Sequence, residues 1–557
     1  MRLRWTLVVA LALVATATAT LTVTAGAPTA TASTKPAARK PAAPTSCGAK
    51  ATSSSPVVVA TDRGAVRGAA EHVADAATSG SQPDVRAWRG IPYAAPPIGA
   101  LRWQAPQPAP CRSDVLDTTV FGPPCPQLQG TEVIGNEDCL TVNVWRPARG
   151  KQPRAVMVFV HGGGHVQGSA SQTTAGVALY DGAELAARGD VVVVTLQYRL
   201  GTFGWLVDDA LATPGATPAG NYGLLDQIAA LQWVQRNIAG FGGDPKRVLV
   251  FGESAGAVDT CLLVASPLAK GLFSRALIES GACVASDAAT AHQAAASFAT
   301  AAGCTDAAQA ASCLRALPLD TVMHTLPGVI DLASLGRPRY GPYVDGRVLP
   351  EDPLTRIRRG AANHVPVVVG SNADESALFV RSLPTTPDAY AAALTSMVSA
   401  GLAARVLAAY PVEQYASPGA ALIAATTDPR FTCSAANTVQ ALVAGQSQPV
   451  YRYFFTHTMD GGVLRALGAF HGVELFFVFG HVGSTGYVPS AGEVALSDAM
   501  IGYWSRFAKT GDPNGGGAVV WPRATAGADP YLSLDATITA GDGVRTAQCD
   551  FWSSLTR

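Results

Sequence analysis

The chain has 557 residues, 40 basic and 40 acidic side chains, and hydrophobic residues make up 48% of the sequence. This length and composition suffice for a large buried core, and α/β enzymes of this size often form one folded unit. The zero formal net charge and the lack of a Lys/Arg run give no indication of nucleic-acid binding, and we expect none.

The first 32 residues have the composition of an export signal. Arg2 and Arg4 provide a small positive segment, and the apolar segment after them is too short to span a bilayer. A permanent N-terminal membrane anchor is the alternative. Residues 33–55 are rich in Pro, Ala, Ser and Thr without periodicity, which predicts a disordered linker. We therefore expect a secreted, extracellular protein with no stable membrane anchor and a folded domain over residues 56–557.

Cysteine usage agrees with export. The ten cysteines are an even number, so disulfides are expected in an oxidising compartment. Pairs that are close in sequence, Cys125 with Cys139 and Cys304 with Cys313, are natural first guesses, but the sequence alone does not define the connectivity. We find no Cys-x-x-Cys pair or His-x-x-x-His cluster, and we predict no metal site.

Apolar runs predict the fold class. A hairpin is expected over residues 57–60 and 65–68, and longer apolar runs follow at residues 156–160, 191–198, 248–251, 365–369 and 450–455. Runs that do not alternate indicate strands buried on both faces, hence a largely parallel sheet.

Helical patterns lie between these runs. The clearest covers residues 224–241, and a second covers residues 497–509. The alternation predicts an α/β fold with helices on both faces of the sheet. The Ala-rich segments 285–335 and 383–427 are expected to insert as a helical cap over the carboxyl edge of the sheet, where ligands bind in such folds.

A Gly-x-Ser-x-Gly motif joins one apolar run to an apolar helix. Gly252, Ser254 and Gly256 form the motif. In this context it is typical of a nucleophile elbow, in which a strained strand-to-helix turn lifts the serine hydroxyl clear of the sheet. An incidental turn serine is the alternative, but the strand before the motif and the helix after it favour a nucleophile.

A glycine run follows the run at residues 156–160 and suggests an oxyanion hole. In His161-Gly162-Gly163-Gly164, bare backbone N–H groups can approach a substrate carbonyl oxygen. We assign the N–H groups of Gly163 and Gly164, with that of Ala255, as oxyanion donors. A plain flexible turn is the alternative.

A serine hydrolase of this fold also needs an acid and a base, in the chain order Ser, Asp/Glu, His. Asp374 and Glu375 lie in the loop after the run at residues 365–369, and the residues alone do not choose between them. His457, His471 and His481 are the only histidines that follow. Of these, His471 is favoured because it lies in a Gly-flanked loop beyond a late strand.

Longer motifs extend the pattern beyond these candidates. They are Trp-Arg-Gly-Ile-Pro-Tyr-Ala (88–94), Glu-Asp-Cys-Leu-Thr-Val-Asn-Val (137–144), Tyr-Arg-Leu-Gly-Thr-Phe-Gly (198–204), Gly-Asn-Tyr-Gly-Leu-Leu-Asp-Gln (220–227), Asn-Ile-Ala-Gly-Phe-Gly-Gly-Asp-Pro (237–245), Phe-His-Gly-Val-Glu-Leu (470–475) and Trp-Ser-Arg-Phe-Ala (504–508). With them the chain resembles the type-B carboxylesterase/lipase family, which includes the cholinesterases, over residues 57–552.

The resemblance implies an α/β-hydrolase catalytic domain over residues 56–557, with a large, mostly parallel central sheet, helices on both faces and helical cap insertions. It also implies a secreted serine carboxylesterase that hydrolyses small-molecule carboxylic esters through an acyl-enzyme on Ser254, with no cofactor. A lipase acting on longer-chain esters, an amidase and a non-catalytic cholinesterase-like binding protein are the alternatives. The natural substrate and the oligomeric state stay open.

The resemblance also selects the acid and the base. The family's triad glutamate lies in an Asp-Glu-Gly loop, which maps onto Glu375 although Ser376 replaces the usual Gly. Its histidine maps onto His471. The glutamate before the nucleophile maps onto Glu253, which is expected to support the triad, and Ser280 lies where the family has a buried hydroxyl near that glutamate.

Further implications concern disulfides and specificity. The resemblance supports the two close pairs and implies a third bridge, which leaves two weaker assignments; the five pairs are Cys125–Cys139, Cys304–Cys313, Cys433–Cys549, Cys47–Cys111 and Cys261–Cys283. The segment between Cys125 and Cys139 lacks the Trp that binds choline in cholinesterases, so choline-ester specificity is not expected. His165 also departs from the family, which usually has an aromatic residue after the glycine run.

Overall fold

The protein was analysed as a computed structural model. The structure describes residues 47, 55–73, 84–174, 176–212, 219–330, 339–484 and 487–555. The predicted signal at residues 1–32 lies outside the described residues, as does the predicted linker at residues 33–55 apart from Cys47 and Ser55. No helix among the described residues is both long enough and apolar enough to cross a bilayer.

The strands occupy much of the described chain. In chain order they are β1 (Val58–Thr61), β2 (Gly64–Arg67), β3 (Ala69–Glu71), β4 (Val85–Pro92), β5 (Leu116–Asp117), β6 (Gln127–Gln129), β7 (Glu132–Ile134), β8 (Thr141–Pro147), β9 (Arg154–Val160), β10 (Thr173–Thr174), β11 (Val177–Ala178), β12 (Val192–Leu196), β13 (Gly243–Glu253), β14 (Arg275–Glu279), β15 (Val367–Asn372), β16 (Val450–Phe455), β17 (Pro530–Leu534) and β18 (Thr539–Asp542).

Eleven of the described strands form one mixed sheet, in the order β18-β17-β16-β15-β14-β13-β9-β12-β8-β4-β3. The seven strands from β17 to β12 run parallel, and antiparallel strands complete both edges. The parallel strands β9, β12 and β15 are almost wholly buried, because covered sheet faces require side chains that are apolar on both sides. The predicted parallel sheet is confirmed, and β1 and β2 form the predicted hairpin.

Helices cover both faces of this sheet. In chain order they are α1 (Ala183–Gly189), α2 (Gly201–Trp205), α3 (Tyr222–Asn237), α4 (Ala255–Ala265), α5 (Ala288–Ala301), α6 (Ala310–Ala316), α7 (Leu319–Thr325), α8 (Pro353–Arg358), α9 (Pro387–Met397), α10 (Ala400–Ala409), α11 (Pro418–Thr427), α12 (Cys433–Gly445), α13 (Glu474–Val478), α14 (Ala491–Thr510) and α15 (Thr546–Ser554). The predicted helix at residues 224–241 is α3 with a 3-10 turn after it, and residues 497–509 lie within α14.

Two apolar cores result from the alternation of side chains along each strand. On β9, Val156, Val158 and Val160 pack into a core shared with α3 and α4. Met157 and Phe159 point to the opposite face and pack with α1, α13 and α14. Burial of each such side chain is worth about 1.5–3 kcal/mol, so both cores hold the strands in register.

The two Ala-rich segments form helices beside the cavity described below. The first contributes α5, α6 and α7, with residues 331–338 outside the described part, and the second contributes α9, α10 and α11. The helices of the second segment share a small apolar core that contains Tyr390 and Tyr410. Val329 from the first segment and Val398 from the second line the same cavity as Ser254, so both segments cover the carboxyl edge of the sheet.

Five disulfides connect these elements. They are Cys47–Cys111, Cys125–Cys139, Cys261–Cys283, Cys304–Cys313 and Cys433–Cys549, and no described cysteine is free. The bridge between Cys433 and Cys549 spans a sequence separation of 116 and ties α15 to α12. Three of these pairs are the ones that the family resemblance implies, and Cys47–Cys111 and Cys261–Cys283 are the two weaker assignments.

Candidate active site

Ser254 occupies a sharp turn at the carboxyl edge of the sheet. β13 ends at Glu253, and α4 begins at Ala255. The backbone of Ser254 has φ 57° and ψ −122°, a region that costs a non-glycine residue about 1–3 kcal/mol. Its N–H donates to the carbonyl of Glu279 at 3.0 Å, so the neighbouring strand β14 helps to hold the strained turn.

Gly256 makes this turn possible. A Cβ at this position would lie 2.0 Å from the carbonyl oxygen of Val160, at the end of β9. Any side chain would therefore separate α4 from the strand beneath it. This close approach gives the steric reason for the second glycine of the motif.

The glycine run lies directly against the turn. A Cβ at Gly162 would fall 2.9 Å from Cβ of Ser254. Gly163 has φ 105°, and a Cβ there would meet the carbonyl oxygen of Gln167 at 2.0 Å, so only glycine fits. No described residue accepts a hydrogen bond from the N–H groups of Gly163, Gly164 or Ala255. These groups are therefore free to receive an oxyanion.

His471 and Glu375 meet in a buried contact. Nδ1 of His471 lies 2.6 Å from Oε2 of Glu375, although the residues are 96 positions apart. The other carboxylate oxygen of Glu375 accepts the N–H of Asn372 at 2.7 Å. Asp374 turns elsewhere and accepts the N–H of Ala469 at 2.9 Å. The structure thus brings Glu375, and not Asp374, to the imidazole.

The other two candidate histidines have different partners. Nδ1 of His457 lies 2.9 Å from Oδ1 of Asp535, and Nε2 of His481 donates to the carbonyl of Asp181 at 3.1 Å. Neither ring contacts Glu375. These contacts are those expected of ordinary polar histidines near a strand end or a turn.

Glu253 faces the second nitrogen of the imidazole. Its Oε1 lies 3.1 Å from Nε2 of His471, but neither atom makes a hydrogen bond to a described residue, so the contact is one of charge. Burial lowers the pKa of His471, and the charges of Glu253 and Glu375 outweigh that effect and raise it to about 9. Burial raises the pKa of Glu253 to about 7.

Two further buried carboxylates were not identified from the sequence. Glu474 accepts a hydrogen bond from the side chain of Asn372, and burial together with the charges of Glu253 and Glu375 raises its pKa to about 8. Glu279 accepts the indole N–H of Trp504 at 2.8 Å, and burial holds its pKa well above the usual range. A carboxylate at the end of an apolar strand, as in Glu279, is the signal that could have revealed it.

A cavity of about 560 Å³ borders Ser254. Gly164 and Ala255 line it on the side of the glycine run, and Ser280 lines it from the end of β14. Ser280 has φ 55°, is fully buried, and its hydroxyl has no hydrogen-bond partner among the described residues. Phe431 lines the cavity and also packs on the ring of His471, with centroids 4.9 Å apart, so the cavity and the imidazole are adjacent.

His165 lines the cavity in place of the family's usual aromatic residue. Its Nε2 lies 2.9 Å from Oδ1 of Asp259, and the other oxygen of Asp259 accepts the side-chain N–H of Gln227 at 2.5 Å. The ring also packs edge-on against Trp205, with centroids 4.9 Å apart. These contacts hold the imidazole edge in the wall beside the glycine run.

One described group could hold a metal ion. Ligand atoms of His457, Asp460 and Glu493 lie within 4.8 Å of one another. Glu493 accepts the N–H of Asp460 at 2.9 Å and that of Ser490 at 2.8 Å, and with Ser490 it forms the capping box of α14. Its oxygens are thus already occupied by the protein, and none of the three residues is among the described residues that line the cavity at Ser254.

Comparison with known proteins agrees with this geometry. The sequence model of the Carboxylesterase family matches residues 55–552. The chain is similar to para-nitrobenzyl esterase of Bacillus subtilis (strain 168), at 36% identity over 86% of this chain and 95% of that protein. It is also similar to carboxylesterase 4A of Bos taurus, at 35% identity over 89% of this chain and 94% of that protein.

A solved structure has the same fold. A PNB esterase structure aligns with a TM-score of 0.74 and 34% identity, covering 89% of this chain and 99% of the other. The order of the strands, the strained turn at Ser254, the glycine run and the similar proteins all indicate the same family. The chain belongs to the type-B carboxylesterase family and is a carboxylic ester hydrolase of the serine type with an α/β-hydrolase fold.

Proposed function

We propose that the protein is a secreted carboxylesterase that forms its acyl-enzyme on Ser254. His471 is the general base, and Glu375 orients it. The N–H groups of Gly163, Gly164 and Ala255 form the oxyanion hole. The observation that carries the proposal is the buried 2.6 Å contact between His471 and Glu375, at the rim of the sheet that also holds the strained Ser254.

The reaction proceeds by two acyl transfers. Nε2 of His471 takes the proton of Ser254 as the hydroxyl attacks the ester carbonyl, and the tetrahedral oxyanion is held by the backbone donors. The alcohol leaves with the proton from His471, and a water molecule then repeats the sequence on the acyl-enzyme. Loss of one oxyanion donor costs on the order of 3 kcal/mol in such reactions.

The partners of His471 suit this role. Glu375 occupies Nδ1, which leaves Nε2 as the nitrogen directed away from the acid, and Nε2 has no hydrogen-bond partner among the described residues. The carboxylates around the ring favour the imidazolium that forms during the attack. Glu253 supports the charge from the opposite side, at 3.1 Å from Nε2.

The substrate is a small carboxylic ester. The cavity at Ser254 has about 560 Å³, a size typical of sites for small organic molecules. Most of its described lining is apolar, so the acyl chain or the alcohol group can be buried beside the nucleophile. Each part of the cycle uses side chains and backbone groups, and no cofactor takes part.

Secretion is the remaining part of the proposal. Five disulfides fit an oxidising compartment outside the cytoplasm. The signal-like composition of residues 1–32 supports the same destination. N-terminal sequencing of protein recovered from the culture medium tests this: a start beyond residue 25 supports cleavage and export, and retention in the cytoplasm with an intact N-terminus overturns them.

Covalent labelling tests the nucleophile. A fluorophosphonate probe should label the wild type on Ser254 and fail to label S254A, which should also lose hydrolysis of short para-nitrophenyl esters while keeping its melting temperature. S286A is the matched control, because Ser286 lines the same cavity; it should label normally. Equal labelling of S254A and the wild type would remove Ser254 from the mechanism, and a wild type that takes no label would favour a non-catalytic binding protein.

A further inference from the structure

Arg430 is a charged residue in the wall of a largely apolar cavity. It lines the cavity that contains Ser254, together with apolar side chains such as Val258, Val284 and Ile330. Among the described lining residues, only Arg430 and His165 have ionisable side chains, and His165 is bound to Asp259. The guanidinium is thus the one strong cation in the described wall.

Arg430 has no acidic partner among the described residues. Its one hydrogen bond to a described residue runs from a terminal nitrogen to the carbonyl of Thr426 at 3.1 Å. No ion pair joins it to a described carboxylate, and burial is the one cause that lowers its pKa. Asp428, two residues away, accepts the hydroxyl of Tyr410 instead, and its charge partner is Arg545. Most of the five N–H donors of this half-buried guanidinium are therefore available to bind a ligand or solvent.

The local backbone places Arg430 at the cavity. It lies in a π-helical turn, Asp428–Thr432, that joins α11 to α12. Such turns are rare and are frequent at functional sites, because they displace side chains from the regular helical positions. Pro429 and Phe431 line the cavity as well, and Phe431 packs on His471, so the turn lies beside the candidate catalytic imidazole.

We propose that Arg430 is an anion-binding residue of the substrate cavity, and that the preferred substrates are carboxylic esters that carry a carboxylate, such as half-esters of dicarboxylic acids. This inference rests on the proposed function of Ser254. The apolar wall accommodates the hydrocarbon chain of the substrate. The guanidinium receives the carboxylate in a bidentate pair, the geometry for which arginine is best suited.

A structural role for Arg430 gives a different expectation. A half-buried charge without a partner costs stability, and its bond to Thr426 is a contact that many polar side chains could make. Replacement by Met should therefore leave the melting temperature unchanged or raise it. A stabilising role would lower it.

The test compares matched charged and neutral esters. On the acyl side the pair is para-nitrophenyl hemiglutarate and para-nitrophenyl pentanoate, and on the alcohol side it is meta-acetoxybenzoate and meta-tolyl acetate. In R430M the ratio of kcat/KM for the charged ester to that for the neutral ester should fall about 10- to 100-fold in at least one pair, mainly through KM. R430K should retain part of the preference. R381M is the control, since Arg381 is exposed and outside the described lining.

Glutarate supplies a readout that does not depend on turnover. Glutarate should slow fluorophosphonate labelling of Ser254 in the wild type. It should slow labelling much less in R430M, or in R430Q if only that variant folds. Equal ratios for wild type, R430M and R381M, with equal protection by glutarate, would overturn the inference while the esterase proposal stands. Absence of Ser254-dependent hydrolysis of every ester would instead overturn the proposed function.

Discussion

Replacement of Glu253 by Gln should move the pH dependence of catalysis to lower pH. In the proposed mechanism, His471 must be deprotonated before it can accept the proton of Ser254, so kcat/KM of the wild type should rise with pH through the pKa of the imidazole. Glu253 and Glu375 raise that pKa to about 9. Gln keeps the shape of the side chain and removes the negative charge next to Nε2, so the imidazolium becomes less stable and its pKa falls.

The distance limits the size of the shift. Unit charges 3.1 Å apart interact by roughly 5 kcal/mol at an effective dielectric constant of about 20. At about 1.4 kcal/mol for each pKa unit, this sets an upper limit of about four units. Glu253 has a pKa of about 7, so it is not fully ionised over the whole pH range and only part of the interaction is present on average. We expect the acid limb to move down by about one to two pH units, in keeping with shifts caused by one adjacent charge.

The assay is kcat/KM for a neutral ethyl ester, followed by pH-stat between pH 5 and pH 10. E279Q is the matched control. Glu279 is also buried and is close enough to Glu253 to sense its charge, but burial holds the pKa of Glu279 well above the usual range and its charge is not among the causes that shift the pKa of His471. E279Q should therefore leave the limb in place. An acid limb of E253Q that stays at the wild-type position, or moves to higher pH, would refute the assignment of Glu253 as the neighbour that sets the pKa of His471.

Two further predictions concern the acid and the disulfides. E375Q should lower kcat on a para-nitrophenyl ester by about 100- to 10,000-fold, because the carboxylate orients the imidazole and stabilises its charged form. D374N should lower kcat by less than about tenfold and should chiefly affect the loop at Ala469. The reverse order would show that Asp374, and not Glu375, is the acid. Removal of the bridge between Cys433 and Cys549 should lower the unfolding free energy, measured by guanidinium titration, by up to about 5 kcal/mol. Removal of the short bridge between Cys304 and Cys313 should lower it by about 2.5 kcal/mol. A smaller loss for the longer loop would contradict the chain-entropy explanation.

The strands that the sequence predicted well share one property. The runs that correspond to β9 and β12 are largely apolar without alternation, because both faces of these strands are covered. The antiparallel edge strands β4 and β8 were not predicted as strands. They contain Arg, Asn and Trp side chains, and the buried Asn143 of β8 is stabilised by donating to Thr195 of β12 at 2.9 Å. A polar residue that finds its partner on another strand cannot be recognised from the local pattern.

The features of the site also differ in how far they could be predicted from the sequence. The nucleophile turn was predictable because its sterics are local and require glycine at fixed spacing. The local residues could not decide between Asp374 and Glu375, and only the family resemblance selected Glu375, because the choice depends on the 3-10 turn that begins at Glu375 and on a histidine almost a hundred residues later. Arg430 belongs to no motif and could not be found from the sequence, since its position in the cavity wall and its lack of an acidic partner arise only in three dimensions.

Electrostatics in the site connect the anion-binding proposal with the carboxylate cluster. An anionic substrate is tolerated near these carboxylates only while they are largely protonated, and burial keeps the pKa of Glu253 at about 7 and that of Glu474 at about 8. Both groups lose their protons as the pH rises from 7 to 9, so negative charge accumulates beside the cavity, while the guanidinium of Arg430 stays charged. The preference for para-nitrophenyl hemiglutarate over the pentanoate should therefore weaken across this range. In E253Q one of the two titrating charges is absent, and the decline should be shallower. A wild-type preference that strengthens between pH 7 and pH 9 would mean that the charges of these carboxylates do not affect binding of the anionic substrate.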